Sequence, residues 1–185
     1  MNYAQIRSMD ISNGEGIGVS LFVQGCDFHC KNCFNSETWD FSNGYEWSEN
    51  TQKKFIDLIE KPFIKRISIL GGEPLHPKNV QNVLKIVDEI RVSYPTKNIW
   101  LYTGYTWEEI WNREKMKPDD KIKGTQNKVI GNLRREVVSR CDVLIDGRYV
   151  DELRDISLHW RGSSNQRVIN VQETIKQKQI ILWES

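Results

Sequence analysis

Apolar residues recur along the chain in two rhythms. Residues 17–24 (IGVSLFVQ) alternate and carry Val, Leu and Phe, which predicts a strand. Three short apolar runs follow at 66–70 (RISIL), 98–102 (NIWLY) and 142–146 (DVLID), ended by Gly71–Gly72, Thr103–Gly104 and Gly147. Between them the period lengthens to that of a helix. Residues 48–60 set Phe55, Ile56 and Ile59 on one face behind Ser48 as a cap, and 79–93 do the same with Val80, Val83, Leu84, Val87 and Ile90. Thr106 reads as the cap of a helix running to about Trp111, and 131–139 as a further short helix. An apolar stretch, Val168 to Val171, and a QIILW run at 179–183 that fits an edge strand complete the pattern. The polar run 113–128, with Pro118 and Gly124 inside, interrupts it and reads as a surface excursion.

Strands that alternate with helices imply parallel βαβ units, an α/β fold. In such sheets ligand sites gather at the carboxyl ends of the strands. The cysteine-rich loop after residue 24, Gly71–Gly72–Glu73, Thr103–Gly104 and Asp146–Gly147 all follow predicted strands and are expected on one face. A closed eight-stranded barrel takes about 250 residues, and this chain has 185. The expectation is therefore a single domain over 1–185, a partial, open (β/α) barrel with an insertion at about 113–128. Its open side would admit a macromolecular substrate.

Charge narrows the range of partners. A formal net charge of +1 gives no bulk electrostatic case for nucleic acid or an anionic membrane. The Arg134–Arg135 pair reads as solvated surface. The N-terminus shows no basic-then-apolar leader, and no apolar run approaches the roughly 20 residues of a membrane span. A cytoplasmic protein is expected. In that reducing compartment clustered cysteines bind metal or do chemistry more often than they form disulfides.

Three of the four cysteines, Cys26, Cys30 and Cys33, form a CxxxCxxC triplet. Thiolates are the usual ligands of iron–sulfur clusters, which normally take four. Three close ligands would leave one iron open, as a catalytic centre requires. The alternatives are structural zinc, completed by His29 or Cys141, and a redox pair of Cys30 and Cys33. Zinc sites more often use two separated pairs, and the redox reading leaves Cys26 unexplained. Cys141 reads as a buried core residue. His29 and His76 read as solvated loop residues without a role.

The triplet after an N-terminal strand, followed about forty residues on by Gly-Gly-Glu-Pro after another strand, resembles the radical S-adenosylmethionine superfamily. Six segments in order are similar to its glycyl-radical activating branch, and within it to the activators of anaerobic ribonucleotide reductase: NGEG (13–16), CFNSETW (33–39), GGEPLHP (71–77), WLYTGY (100–105), DVLIDGRY (142–149) and WRGSSNQR (160–167). The resemblance implies a 4Fe–4S cluster on Cys26, Cys30 and Cys33. It implies S-adenosylmethionine on the open iron, cleaved reductively to a 5′-deoxyadenosyl radical that takes a hydrogen atom from a glycine of the large reductase subunit. Gly71, Gly72 and Glu73 would face the methionine end of the cofactor. Asn32 and Phe34, flanking Cys33, would touch its adenine. Asp146 and Arg148 would contact it too, Arg148 through the carboxylate, with packing as a buried pair the alternative for those two. A reduced flavodoxin-type protein would donate the electron. The chain departs from the branch at Asn32, where glycine is usual, and at Glu15 and Glu73, in place of proline and aspartate. Arg161 and Arg167 bracket a polar stretch suited to gripping a partner or cofactor. An activator of another glycyl-radical enzyme, or a zinc-binding interaction module, remains the alternative on sequence grounds.

Overall fold

The computed structural model describes residues 1–112 and 125–183. The fold is mixed α/β. Among the described residues the strands are β1 (Asn2–Asp10), β2 (Gly18–Val23), β3 (Tyr45–Glu46), β4 (Arg66–Gly71), β5 (Asn98–Tyr102), β6 (Val143–Asp146) and β7 (Arg167–Asn170). The helices are α1 (Glu49–Glu60), α2 (Val80–Ser93), α3 (Trp107–Trp111), α4 (Thr125–Ser139) and α5 (Val171–Gln177). One sheet holds all seven strands in the order β3-β1-β2-β4-β5-β6-β7. Its central four, β2, β4, β5 and β6, run parallel. β1 and β7 flank them antiparallel, and β3 pairs antiparallel with β1.

Alternate residues along each central strand serve different layers. Val19, Leu21, Ile67, Ile69, Ile99, Leu101 and Leu144 share a fully buried core with Phe55, Ile59, Val83, Val87, Ile90 and Val137 from the helices. The capped starts of α1 and α3 fit the sequence reading: Ser48 Oγ accepts from the Thr51 amide, and Thr106 with Glu109 forms a capping box. Among the described residues no α-helix covers the other face. There Trp100, Val143, Ile145 and Val168 pack with Tyr102, Trp160 and Trp183. The loop 10–16 closes over the same face. Arg66, 1% exposed, ties it down by donating to the carbonyls of Asp10 (2.6 Å), Asn13 (2.7 Å), Glu15 (3.2 Å) and Gly16 (3.2 Å). A buried guanidinium is tolerated only when its donors are matched in this way.

Several elements differ from the sequence reading. β1 lacked a clear signal because it is a half-exposed strand, broken by register shifts, and packs only Tyr3 and Ile6 against the core. α4 begins at Thr125, six residues before the expected 131, and Ile130 ahead of that point already packs against the core. Residues 125–128 of the polar run are thus its first turn, and 113–124 lie outside the described residues. Val171 starts α5 rather than extending the strand, with Asn170 Oδ1 capping the Glu173 amide. The QIILW run lies along β7 through one bridge, Ile169 to Leu182. Arg134 corrects the reading of Arg134–Arg135 as solvated surface. It is buried, stacks over Tyr105 at 4.0 Å, and donates to Leu75 O (2.9 Å) and Tyr105 Oη (2.7 Å). Among the described residues no helix is long and apolar enough to cross a bilayer.

Candidate functional site

A cavity of about 600 Å³ opens on the inner face of the sheet. The segments that follow β2, β4, β5 and β6 all reach it, through Cys26, Gly72, Gly104 and Gly147. This is the shared strand-end face expected from the sequence. Cys26, Cys30 and Cys33 are all half-buried, unbridged and on its wall.

The cysteine loop is built by its own backbone. The Gly25 amide donates to Thr38 O (2.7 Å), the Cys26 amide to Trp39 O (3.0 Å), and the Cys33 amide to Cys30 O (3.1 Å). Gly25 turns the chain at φ +98°, and a Cβ there would lie 1.9 Å from the Phe41 ring. His29 (φ 47°) and Asn32 (φ 54°) each adopt the left-handed conformation just before a cysteine. That conformation explains the departure at Asn32. Apart from glycine, asparagine is among the residues that adopt it most readily. Burial pushes the Cys26 thiol up to about 12, and the charge of Glu73 adds to the effect. Burial also raises Cys30, with Cys33 adding and Arg148 opposing.

Gly71, Gly72 and Glu73 pack against the root of that loop. A Cβ on Gly71 (φ +102°) would meet Val23 O at 2.8 Å, and one on Gly72 would meet Gly25 O at 2.5 Å. Their missing side chains therefore admit the chain's own β2 end, as well as exposing backbone to the cavity. The Glu73 amide donates to Gly25 O (2.8 Å). Its carboxylate, 2% exposed, accepts from the Leu75 amide (2.8 Å), the Thr103 hydroxyl (2.7 Å) and the Gly104 amide (2.8 Å). Burial raises its pKa, while these donors and Arg134 pull the other way. Asn79 completes the joint, its amide donating to Gln24 O and Glu73 O at 3.0 Å each.

The remaining candidates divide. Phe34, 58% exposed, and Arg148 line the cavity. Arg148 lies over the Phe28 ring at 4.4 Å, and among the described residues no carboxylate pairs with it. Asn32 and Asp146 are not on the wall. The Asn32 amide donates to Asp151 at 2.7 Å. Asp146 is buried, accepts from the Trp107 amide and pairs with Arg167, which also grips Glu108. Cys141 sits in the helix-side core at 0% exposure, as its sequence context suggested. His76 is not solvated: it is 6% exposed, its Nδ1 accepts from the Lys78 amide, and its Nε2 lies 3.4 Å from Asp27. No local pattern marks His76 or Arg134 as joints of this site, because each acts on a loop distant in sequence.

The wall suits a cluster held by three thiolates. The thiols share one cavity, and coordination to iron would ionise Cys26 and Cys30, whose pKa values burial raises. Among the described residues no three His, Cys, Asp or Glu side chains converge as ligands of a single ion.

Comparison with known proteins supports an iron–sulfur cluster. Residues 12–169 match the family model described as a 4Fe-4S single cluster domain. The chain is 40% identical over 170 residues to the anaerobic ribonucleoside-triphosphate reductase-activating protein of Escherichia coli (strain K12), covering 91% of this chain and 97% of the relative. The protein of that name from Vibrio cholerae is 37% identical over 90% of this chain and 96% of its own length. That from Enterobacteria phage T4 is 36% identical over 91% and 93% respectively. With a cluster-domain match over most of its length and full-length relatives at this identity, the chain belongs to the family of anaerobic ribonucleoside-triphosphate reductase-activating proteins.

Proposed function

We propose that this chain holds a 4Fe–4S cluster on Cys26, Cys30 and Cys33, binds S-adenosylmethionine at the remaining iron, and generates a glycyl radical on anaerobic ribonucleotide reductase. The observation that carries the reading is the wall itself: three half-buried thiols beside Gly71–Glu73, with the fourth cysteine of the chain in the opposite core. A cluster held by Cys26, Cys30 and Cys33 would supply the single electron needed for reductive cleavage of S-adenosylmethionine, the source of the hydrogen-abstracting chemistry at a glycine of the reductase.

The chain's own residues position and shield. Glu73, already engaged by three donors, holds the strand-end loops together and leaves the Gly71–Gly72 backbone to meet the amino-acid end of the cofactor. Arg148, without a carboxylate among the described residues, is free to pair with that of the cofactor. Phe34 offers an apolar ring to adenine, while Asn32 sets the turn that aims Cys33. Asp146 supports the site through Arg167. The sheet, with β3 and β7 at its ends, belongs in this reading to a partial, open (β/α) barrel forming a single domain. A reduced flavodoxin-type protein in the cytoplasm supplies the electron.

The test is activation without oxygen. The purified chain should carry about four iron and four sulfide, release 5′-deoxyadenosine when reduced with S-adenosylmethionine, and produce a glycyl EPR doublet on the reductase. A loaded, reducible cluster that gives no radical would refute the reductase assignment. One zinc per chain would refute the cluster.

A further inference from the structure

The polar stretch 163–166 turns onto the loop that carries Arg148. The Asn165 side-chain amide donates to Arg148 O (2.8 Å), and that of Gln166 to Gly147 O (3.0 Å). Ser163 Oγ accepts from the Val150 amide (3.2 Å), and the Ser164 amide donates to Leu153 O (2.9 Å). Gln166 Oε1 in turn accepts from the Gly162 and Ser163 amides at 3.0 and 3.2 Å, which braces the stretch itself. All four contacts to the neighbouring loop fall on the main chain of 147–153. They fix the path of that backbone and leave the Arg148 side chain, which lines the cavity, free of them.

The framed loop ends in a single 3-10 turn, Asp151–Leu153, and Asp151 reaches from it to the cysteine loop. Its Oδ2 accepts from the Asn32 side-chain amide (2.7 Å) and its Oδ1 from the Tyr149 hydroxyl (2.9 Å). Lys31 lies 3.9 Å from the same carboxylate and 3.2 Å from Glu152. The Tyr149 ring meets Phe34 edge-on at 5.2 Å, and a Cβ on Gly162 would sit 2.7 Å from the Phe34 ring and 3.0 Å from that of Tyr149. Asn32 precedes Cys33 in the left-handed conformation, and Tyr149 follows Arg148. One carboxylate therefore joins the turn before the last thiol to the residue beside the arginine, across 119 positions of sequence. A long, exposed arginine binds well only if the main chain that presents it is already in place. We infer that Asp151 and Asn165 are positioning residues: Asn165 fixes the backbone from which Arg148 reaches the cofactor's carboxylate, and Asp151 holds that loop in register with the Asn32–Cys33 turn. The inference rests on the function proposed above.

The experiment uses the cluster-loaded chain with Asp151→Ala, Asp151→Asn and Asn165→Ala. The Asn32–Asp151 and Asn165–Arg148 bonds lie near solvent, so the core is left intact, and melting with iron analysis confirms that each variant folds and loads. The readout is equilibrium binding of S-adenosylmethionine, measured without oxygen by calorimetry. Each alanine variant should weaken binding about tenfold, as loss of a group that orients a ligand-contacting residue does. Asp151→Asn keeps an acceptor for Tyr149 and, with one amide turned over, a partner for Asn32, so it should stay within about twofold of the parent. A cycle with Arg148→Gln separates positioning from a general loosening of the fold. Adding Asn165→Ala to Arg148→Gln should change affinity by less than about twofold, because the arginine through which Asn165 acts is gone. Parent-like affinity in both alanine variants overturns the inference. So does an Asp151→Asn loss as large as that of Asp151→Ala, or an undiminished Asn165→Ala loss in the Arg148→Gln background. A loaded parent that does not bind S-adenosylmethionine refutes the proposed function and takes the inference with it, whereas a parent that binds while the variants match it sinks the inference alone.

Discussion

Gly72→Ala tests whether the two strand-end loops are locked together as described. The new Cβ would lie 2.5 Å from Gly25 O and 2.9 Å from Gly25 C and N, where ordinary contact begins at 3.4 Å. All three atoms are backbone, so no side chain can swing away, and one loop must move by about 0.9 Å against the closest atom. Gly72 is not among the glycines with positive φ, so backbone strain contributes nothing. Overpacking of this kind costs about 1–3 kcal/mol. Weakening the Glu73 amide bond to Gly25 O adds about 1 kcal/mol. For a chain of this size the total lowers Tm by roughly 5–12 °C. A shift near 1 Å also separates the cysteine loop from Gly71–Glu73, and misplacement on that scale costs up to about a hundredfold in rate. The assay pairs thermal melting of the apo chain with iron content and 5′-deoxyadenosine release of the loaded one. Gly16→Ala is the control. Gly16 has φ +71° with nothing within 4 Å of a Cβ, so it should lose about 1–2 kcal/mol and keep its cofactor chemistry. Equal melting and equal cofactor cleavage in Gly72→Ala and the parent would show that the loops are not packed in this way.

Asp10→Asn should cost about 2 kcal/mol at neutral pH, because Asp10 accepts from the Ser12 and Asn13 amides, the Asn13 side chain and Arg66. Burial alone would raise this carboxyl, but the bonds from Asn13 and Ser12 outweigh it and hold it below the ordinary value. Its stabilisation is therefore present above the unfolded value near 4 and lost as pH falls through the lower folded one. Melting from pH 2.5 to 7 should show the gap between parent and variant closing at the acid end, and a constant gap would contradict the sign. Serine at Cys26, Cys30 or Cys33 should remove most of the iron, whereas Cys141→Ser should keep it and lose about 1 kcal/mol of stability. Iron analysis with melting decides, and iron loss in Cys141→Ser would overturn the three-ligand assignment. Arg167→Leu leaves buried Asp146 without its cation and should cost about 3 kcal/mol, with part recovered when Asp146→Asn is added. Additive losses in that double-variant cycle would mean the pair is not coupled.

Much of the architecture was legible because it rests on local rules. Strand and helix periods, the Ser48 and Thr106 caps, and the glycines after β4 and β6 act within a few residues of themselves. Parallel strands joined by helices bring their carboxyl ends together, so the cysteine triplet, Gly71–Glu73, Thr103–Gly104 and Gly147 could be assigned to one face from order alone, whereas Asp146, expected with them, lies off the cavity wall. β1 and α5 escaped because one is polar and half-exposed and the other follows β7 without a break.

By itself the sequence determined the alternating elements, the thiol spacing and the side of the sheet on which chemistry gathers. Tertiary structure alone decided which polar groups are already engaged. Asp146 is paired with Arg167, Asn32 with Asp151, Arg134 with Leu75 and Tyr105, and Glu73 with Thr103 and Gly104. These pairings join residues 21 to 119 positions apart. No local pattern encodes them. They follow from how the loops pack once the sheet has formed, because a buried polar group takes whichever partner the fold brings within hydrogen-bond reach.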